Sequence, residues 1–105
     1  MALVKVAEKD ALQPGDRIVV EINDRLYIAV FRVGDDFFAI EDVCTHDDGP
    51  LGDGDLDGYE VECPRHGARF DIRTGEVRSM PAIRPVQRFD VKVDGNDVLV
   101  EVGDL

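Results

Sequence analysis

The sequence predicts an all-β domain, and three observations carry that expectation. Apolar residues almost never recur at the three-to-four spacing of an amphipathic helix. Short runs of alternating apolar and polar residues recur instead, many of them β-branched. Between them stand Gly, Pro, Asn and Asp in the combinations that turn a chain.

The first strand is expected over Leu3 to Ala7, and Gln13-Pro14-Gly15-Asp16 turns the chain into a second from Arg17 to Ile22. Asn23-Asp24 leads to a strand from Arg25 to Val33. Gly34-Asp35 suits a tight hairpin into Asp36 to Glu41. From Val43 to about Asp55 the residues suit a loop, after which Gly58 to Cys63 resumes a strand. Cys63 to Gly67 forms a second loop, Phe70 to Ile72 a short strand, and Arg73 to Glu76 a turn into Val77. Phe89 to Val93 alternates strictly, Asp94-Gly95-Asn96 turns, and Val98 to Val102 returns as the clearest hairpin of the chain.

At 105 residues the chain has the size of one domain, read here as a single unit over 1–105, with no room for a second catalytic domain. Twenty-three Asp and Glu oppose twelve Lys and Arg, for a net charge of -11. That balance repels nucleic acid and anionic membranes and favours a basic partner face, although acidity also serves simple solubility. No export signal or membrane span is visible, so a monomeric cytoplasmic protein is expected. In that compartment two cysteines point to metal binding, a reactive thiol or inert burial before a disulfide.

All Cys and His of the chain fall in two segments, Cys44-x-His46 and Cys63-x-x-His66, with sixteen residues between them. Thiolate and imidazole are both transition-metal ligands, so four of them in two Gly/Pro-bearing loops indicate a metal site. Zinc fingers usually draw two cysteines from one segment and two histidines from another. Here each segment supplies one of each, which suits a site with two metal ions. A structural zinc module for protein contacts stays open as the alternative from another class.

Cys44-Thr45-His46 and Cys63-Pro64-Arg65-His66-Gly67 resemble the two boxes of the Rieske iron-sulfur proteins, and the likeness spans essentially the whole chain. The resemblance implies a Rieske fold: an antiparallel β-sandwich or barrel base, with a cluster-binding insertion from about 43 to 80. It implies one [2Fe-2S] cluster, with Cys44 and Cys63 on one iron and His46 and His66 on the other. Two neutral imidazoles in place of thiolates make such a cluster less negative and easier to reduce. High-potential members carry an extra cysteine in each box, and Ser and Tyr hydroxyls near the cluster. This chain has Arg65 in the second box, and Ala68 and Phe70 at the hydroxyl positions. Fewer hydrogen bonds to sulfur, with Asp47, Asp48, Asp53, Asp55 and Asp57 nearby, predict a low potential.

The small low-potential members are ferredoxins of aromatic-ring-hydroxylating dioxygenases, such as those of biphenyl dioxygenase. By resemblance this chain carries single electrons from an NAD(P)H-dependent flavin reductase to a terminal oxygenase, with no catalysis of its own and His46 and His66 as the exit for the electron. The alternative within redox biology is a Rieske-like small subunit of an enzyme such as nitrite reductase. Met80-Pro81-Ala82-Ile83-Arg84-Pro85 resembles the proline loop that covers the cluster. Gly49-Pro50 and Gly67 are expected to serve backbone geometry. Arg65 and Arg69 could meet an acidic partner or pair with the local aspartates, and the solvated ion pair is the preferred reading. Tyr27, Phe31, Phe37, Phe38 and Phe89 are read as core.

Overall fold

The computed structural model describes residues 3–43, 51–52, 54–64, 67–80 and 84–103. In chain order the strands are β1 (Leu3–Glu8), β2 (Arg17–Asn23), β3 (Leu26–Val33), β4 (Asp36–Glu41), β5 (Leu56–Asp57) and β6 (Glu60–Glu62). They continue as β7 (Arg69–Asp71), β8 (Val77–Ser79), β9 (Arg88–Phe89), β10 (Val91–Asp94) and β11 (Asp97–Glu101). One 3-10 turn, Lys9–Ala11, follows β1. The all-β expectation holds.

The strands form three antiparallel sheets, ordered β1-β11-β10, β2-β3-β4-β9 and β5-β6-β7-β8. The first two contain the strands near both ends of the chain and make the base. The third comes wholly from the expected insertion. The middle sheet is covered on both faces, and the two-residue period of a strand decides which side chain goes where. Ile28 and Val30 of β3 join Phe37 and Ala39 of β4 in a core shared with Phe89, Val98 and Val100. Ala29 and Phe31 join Ile40 in a second core, shared with Leu51, Val61, Cys63, Ala68, Phe70 and Ile72. Fully burying a large apolar side chain such as Phe31 contributes about 1.5–3 kcal/mol, so β3 stabilises both layers at once.

Hairpin turns explain the sharpest agreements. Gly34 at φ +61° lets Val33 pair with Asp36, and Gly95 at φ +62° lets Asp94 pair with Asp97. Three expectations change. The strand expected from Gly58 to Cys63 is shorter and is the second arm of a hairpin, because Leu56–Asp57 already forms β5 and Gly58-Tyr59 is its turn. The strand expected over Phe89 to Val93 divides at Asp90. Phe89 pairs with Ala39 in the middle sheet and Val91 with Val100 in the first, and the Glu101 N–H donates to the Asp90 carbonyl at 3.0 Å. Tyr27 is not core: its ring is 44% exposed and its hydroxyl donates to Glu21. Phe31, Phe37 and Phe89 are buried as expected, with Phe38 partly so.

Candidate metal centre

Of the four expected ligands, Cys63 lies among the described residues; Cys44, His46 and His66 lie outside them, as do Gly49, Pro50, Arg65 and residues 81–83. Cys63 follows β6 directly and its side chain is buried in the second core. The chain then turns back on itself. The Gly67 N–H donates to the Cys63 carbonyl at 3.0 Å, and the Cys63 N–H donates to the Ala68 carbonyl at 2.7 Å. Gly67 sits at φ +77°, a left-handed conformation that glycine adopts without the steric cost of a Cβ. Gly67 thus serves backbone geometry, with its N–H on the Cys63 carbonyl.

Ser79 on β8 braces the same turn. Its hydroxyl accepts from the Arg69 N–H at 3.1 Å and donates to the Gly67 carbonyl at 3.4 Å. Beside Cys63 lies a cleft of about 300 Å³, lined among the described residues by Gly54, Asp55, Glu62, Cys63, Pro64 and Gly67. It has room for two irons and two sulfides against the cysteine. A buried thiol opening on a polar cleft, with a second Cys and two His in the neighbouring sequence, is a donor set that fits a mixed-ligand iron-sulfur cluster. Among the described residues no group of three His, Cys, Asp or Glu side chains is placed to hold a metal ion by itself.

Asp42, one residue after β4, accepts at one carboxylate oxygen from the Leu51 N–H at 2.8 Å and the Gly52 N–H at 2.5 Å. Its two backbone donors follow directly on the segment 44–50 that contains Cys44 and His46. Arg17 of β2 donates from Nη1 to the Gly52 carbonyl at 3.2 Å and also to the Gly54 carbonyl. Neither residue stood out in the sequence, nor did Ser79. Their partners are backbone groups 9–37 residues away, a relation that no local pattern encodes.

Arg69 behaves as read from the sequence. Its guanidinium lies 3.3 Å from Asp57, 3.7 Å from Glu60 and 3.8 Å from Glu62. The hydrogen bond with Asp57, then the charge of Glu62, raises its pKa above the usual arginine value. Ala68 and Phe70 are fully buried and carry no hydroxyl. Met80 is 78% exposed, at the start of the segment expected to cover the cluster.

The fold, with a buried cysteine beside a polar cleft, fits a protein that carries an iron-sulfur cluster. The Rieske [2Fe-2S] domain matches residues 2–90, and the chain belongs to that family. It carries one Rieske-type [2Fe-2S] cluster, which removes the structural zinc alternative, and it is an electron carrier of the ferredoxin kind rather than a catalyst. The chain is 40% identical over 102 residues to the ferredoxin component of the p-cumate 2,3-dioxygenase system of Pseudomonas putida, covering 96% of this chain and 86% of that protein. It is 41% identical over 102 residues to the ferredoxin component of biphenyl 2,3-dioxygenase of Rhodococcus jostii strain RHA1, covering 97% and 94%. A chain of the solved complex of reduced oxygenase and oxidised ferredoxin in carbazole 1,9a-dioxygenase superposes with a TM-score of 0.90 at 41% identity, covering 93% and 91%.

Proposed function

We propose that this protein is a soluble, cytoplasmic, low-potential ferredoxin that takes single electrons from an NAD(P)H-dependent flavin reductase and delivers them to a terminal ring-hydroxylating oxygenase. The observation that carries the reading is likeness over nearly full length on both sides, at about 40% identity, to ferredoxin components of aromatic dioxygenase systems. In this reading Cys44 and Cys63 hold one iron and His46 and His66 the other.

The bound cluster would supply a one-electron couple. The chain's own residues set its surroundings. Burial of Cys63 in the second core keeps water from its thiolate. Ala68 and Phe70 offer no hydroxyl to sulfur, and Asp55 and Glu62 bring negative charge to the cleft. All of these oppose an added electron and favour a low potential. In this reading His46 and His66 are the exit for the electron.

The test is iron and acid-labile sulfide content, an EPR spectrum after dithionite reduction, and a potential by voltammetry. Two irons, two sulfides, a Rieske signal and a potential near about -150 mV are expected. Reduction by NADH through a flavin reductase, with reoxidation by an aromatic-ring oxygenase, completes the case. A potential far above that value, with no electron passed to any such oxygenase, would overturn the role while leaving the cluster.

A further inference from the structure

We propose that Arg17 and Asp42 are positioning residues for the cluster: from the base they clamp the backbone of Leu51, Gly52 and Gly54, and so set the geometry of both ligand segments. The proposal rests on the ligand reading above. Strand register places Arg17 on the cluster-side face of the middle sheet, opposite to Ile18, which packs into the other core. Its guanidinium carbon lies 5.8 Å from the centre of the Phe31 ring, and Nη1 reaches the carbonyls of Gly52 and Gly54. Asp42 takes the N–H groups of Leu51 and Gly52. Its own N–H donates to the Tyr27 carbonyl at 2.8 Å, which ties it to β3.

A cation thus holds two carbonyls and an anion two amides of one short segment that lies between strands. Such charge-assisted bonds are roughly twice as strong as neutral ones. The segment has no slack. A Cβ on Gly52 would collide with the Val19 side chain, and one on Gly54 with the Glu62 carbonyl. The Glu62 N–H also donates to the Asp55 carbonyl at 2.9 Å, and Glu62 immediately precedes Cys63. The clamped segment therefore follows the first ligand box and abuts the second.

Arg32 shows what an arginine of the same sheet does without this task. It lies 5.4 Å from the Phe37 ring centre and donates to the carbonyls of Leu12, Lys9 and Gly34, all within the base. It is the matched control. The experiment compares the cluster-loaded protein with Arg17→Met, Arg17→Lys, Asp42→Ala and Arg32→Met. It reads the rate of cluster bleaching by an iron chelator, the EPR spectrum after dithionite, and the melting temperature.

Arg17→Met and Asp42→Ala should bleach about 10- to 100-fold faster than wild type and shift the EPR signal, the size expected when a group orienting a metal ligand is lost. Arg17→Lys keeps the charge without the planar guanidinium over Phe31 and should fall between. Arg32→Met should melt lower yet bleach and resonate as wild type. Wild-type bleaching and spectra in Arg17→Met and Asp42→Ala, or equally fast bleaching in Arg32→Met, would overturn the clamp. If Arg17→Met does not fold, Arg17→Lys decides on the same readouts, with a wild-type rate counting against the clamp. A wild-type protein without a Rieske signal would defeat the ligand assignment and the clamp with it, an outcome distinct from the others.

Discussion

Asp71 is the one buried charged residue among the described residues, and its carboxylate is enclosed by donors. Arg73 gives it Nε at 3.1 Å, Nη2 at 2.9 Å and its backbone N–H at 2.8 Å, and Arg78 adds Nη2 at 3.1 Å. The side-chain hydrogen bond from Arg73 is the main reason that its pKa falls from 3.8 to about 2. A carboxyl depressed in the folded state stabilises fully above its unfolded value and loses that contribution as pH falls through its folded value. Asp71→Asn should therefore cost about 2 kcal/mol at pH 7. In urea unfolding followed by circular dichroism, the gap between variant and wild type should be flat above pH 5 and close between about pH 4 and 2. A gap independent of pH would remove the carboxylate from the account. Cys44, His46, Cys63 and His66 were visible in the sequence as ligand candidates because Cys and His are rare in this chain and fall in two clusters. Asp71, Arg17 and Asp42 were not, since 35 charged residues compete for attention and nothing local marks which are enclosed.

Strands were legible wherever one face alternates over five or more residues or a glycine turn fixes the register, as in β3, β4 and β11. The two- and three-residue strands of the third sheet have no period to read, so β5 was missed, β6 was drawn too long at both ends and β7 was set one residue late. The break at Asp90 was hidden because a strand that changes sheets keeps its alternation. Just before β9, one backbone hydrogen bond ties the chain to the turn of the third sheet: the Val86 N–H donates to the Gly75 carbonyl at 2.9 Å. Gly75 lies at φ +82°, and a Cβ there would collide with the Val86 carbonyl. Gly75→Ala combines that collision with a left-handed backbone, which costs about 1–3 kcal/mol for a residue with a side chain. The expected result is a fall in melting temperature of several degrees. Gly34→Ala is the comparison, since its Cβ meets nothing within 4 Å and only the backbone cost applies. Equal losses in the two variants would show that the Val86 contact contributes nothing.

Across the whole molecule, the middle sheet separates two cores of different dependence. The core toward β1, β10 and β11 consists, among the described residues, of Leu12, Ile28, Val30, Phe37, Ala39, Phe89, Val98, Val100 and Val102, without Cys63. The core toward β5 to β8 includes Cys63 and relies on strands of two or three residues. Ladders that short give little independent stability, and the free energy of binding a metal group is folding free energy for the segments that bind it. One contact chain ties the third sheet to the base without the cluster. Arg73 lies 4.2 Å over the Tyr59 ring, and Tyr59 meets Phe38 edge-on at 5.7 Å. Iron chelation should therefore loosen the molecule unevenly. In hydrogen exchange, the amides of β6 and β7 should lose protection first after chelation, while those of β3 and β11 stay protected, because β3 remains paired with β2 and β4 and its Ile28 and Val30 face remains packed against the core it shares with β11. Uniform loss of protection would mean that the cluster supports the whole fold as one cooperative unit. No loss at β6 and β7 would mean that the Arg73, Tyr59 and Phe38 contacts and the second core suffice without it.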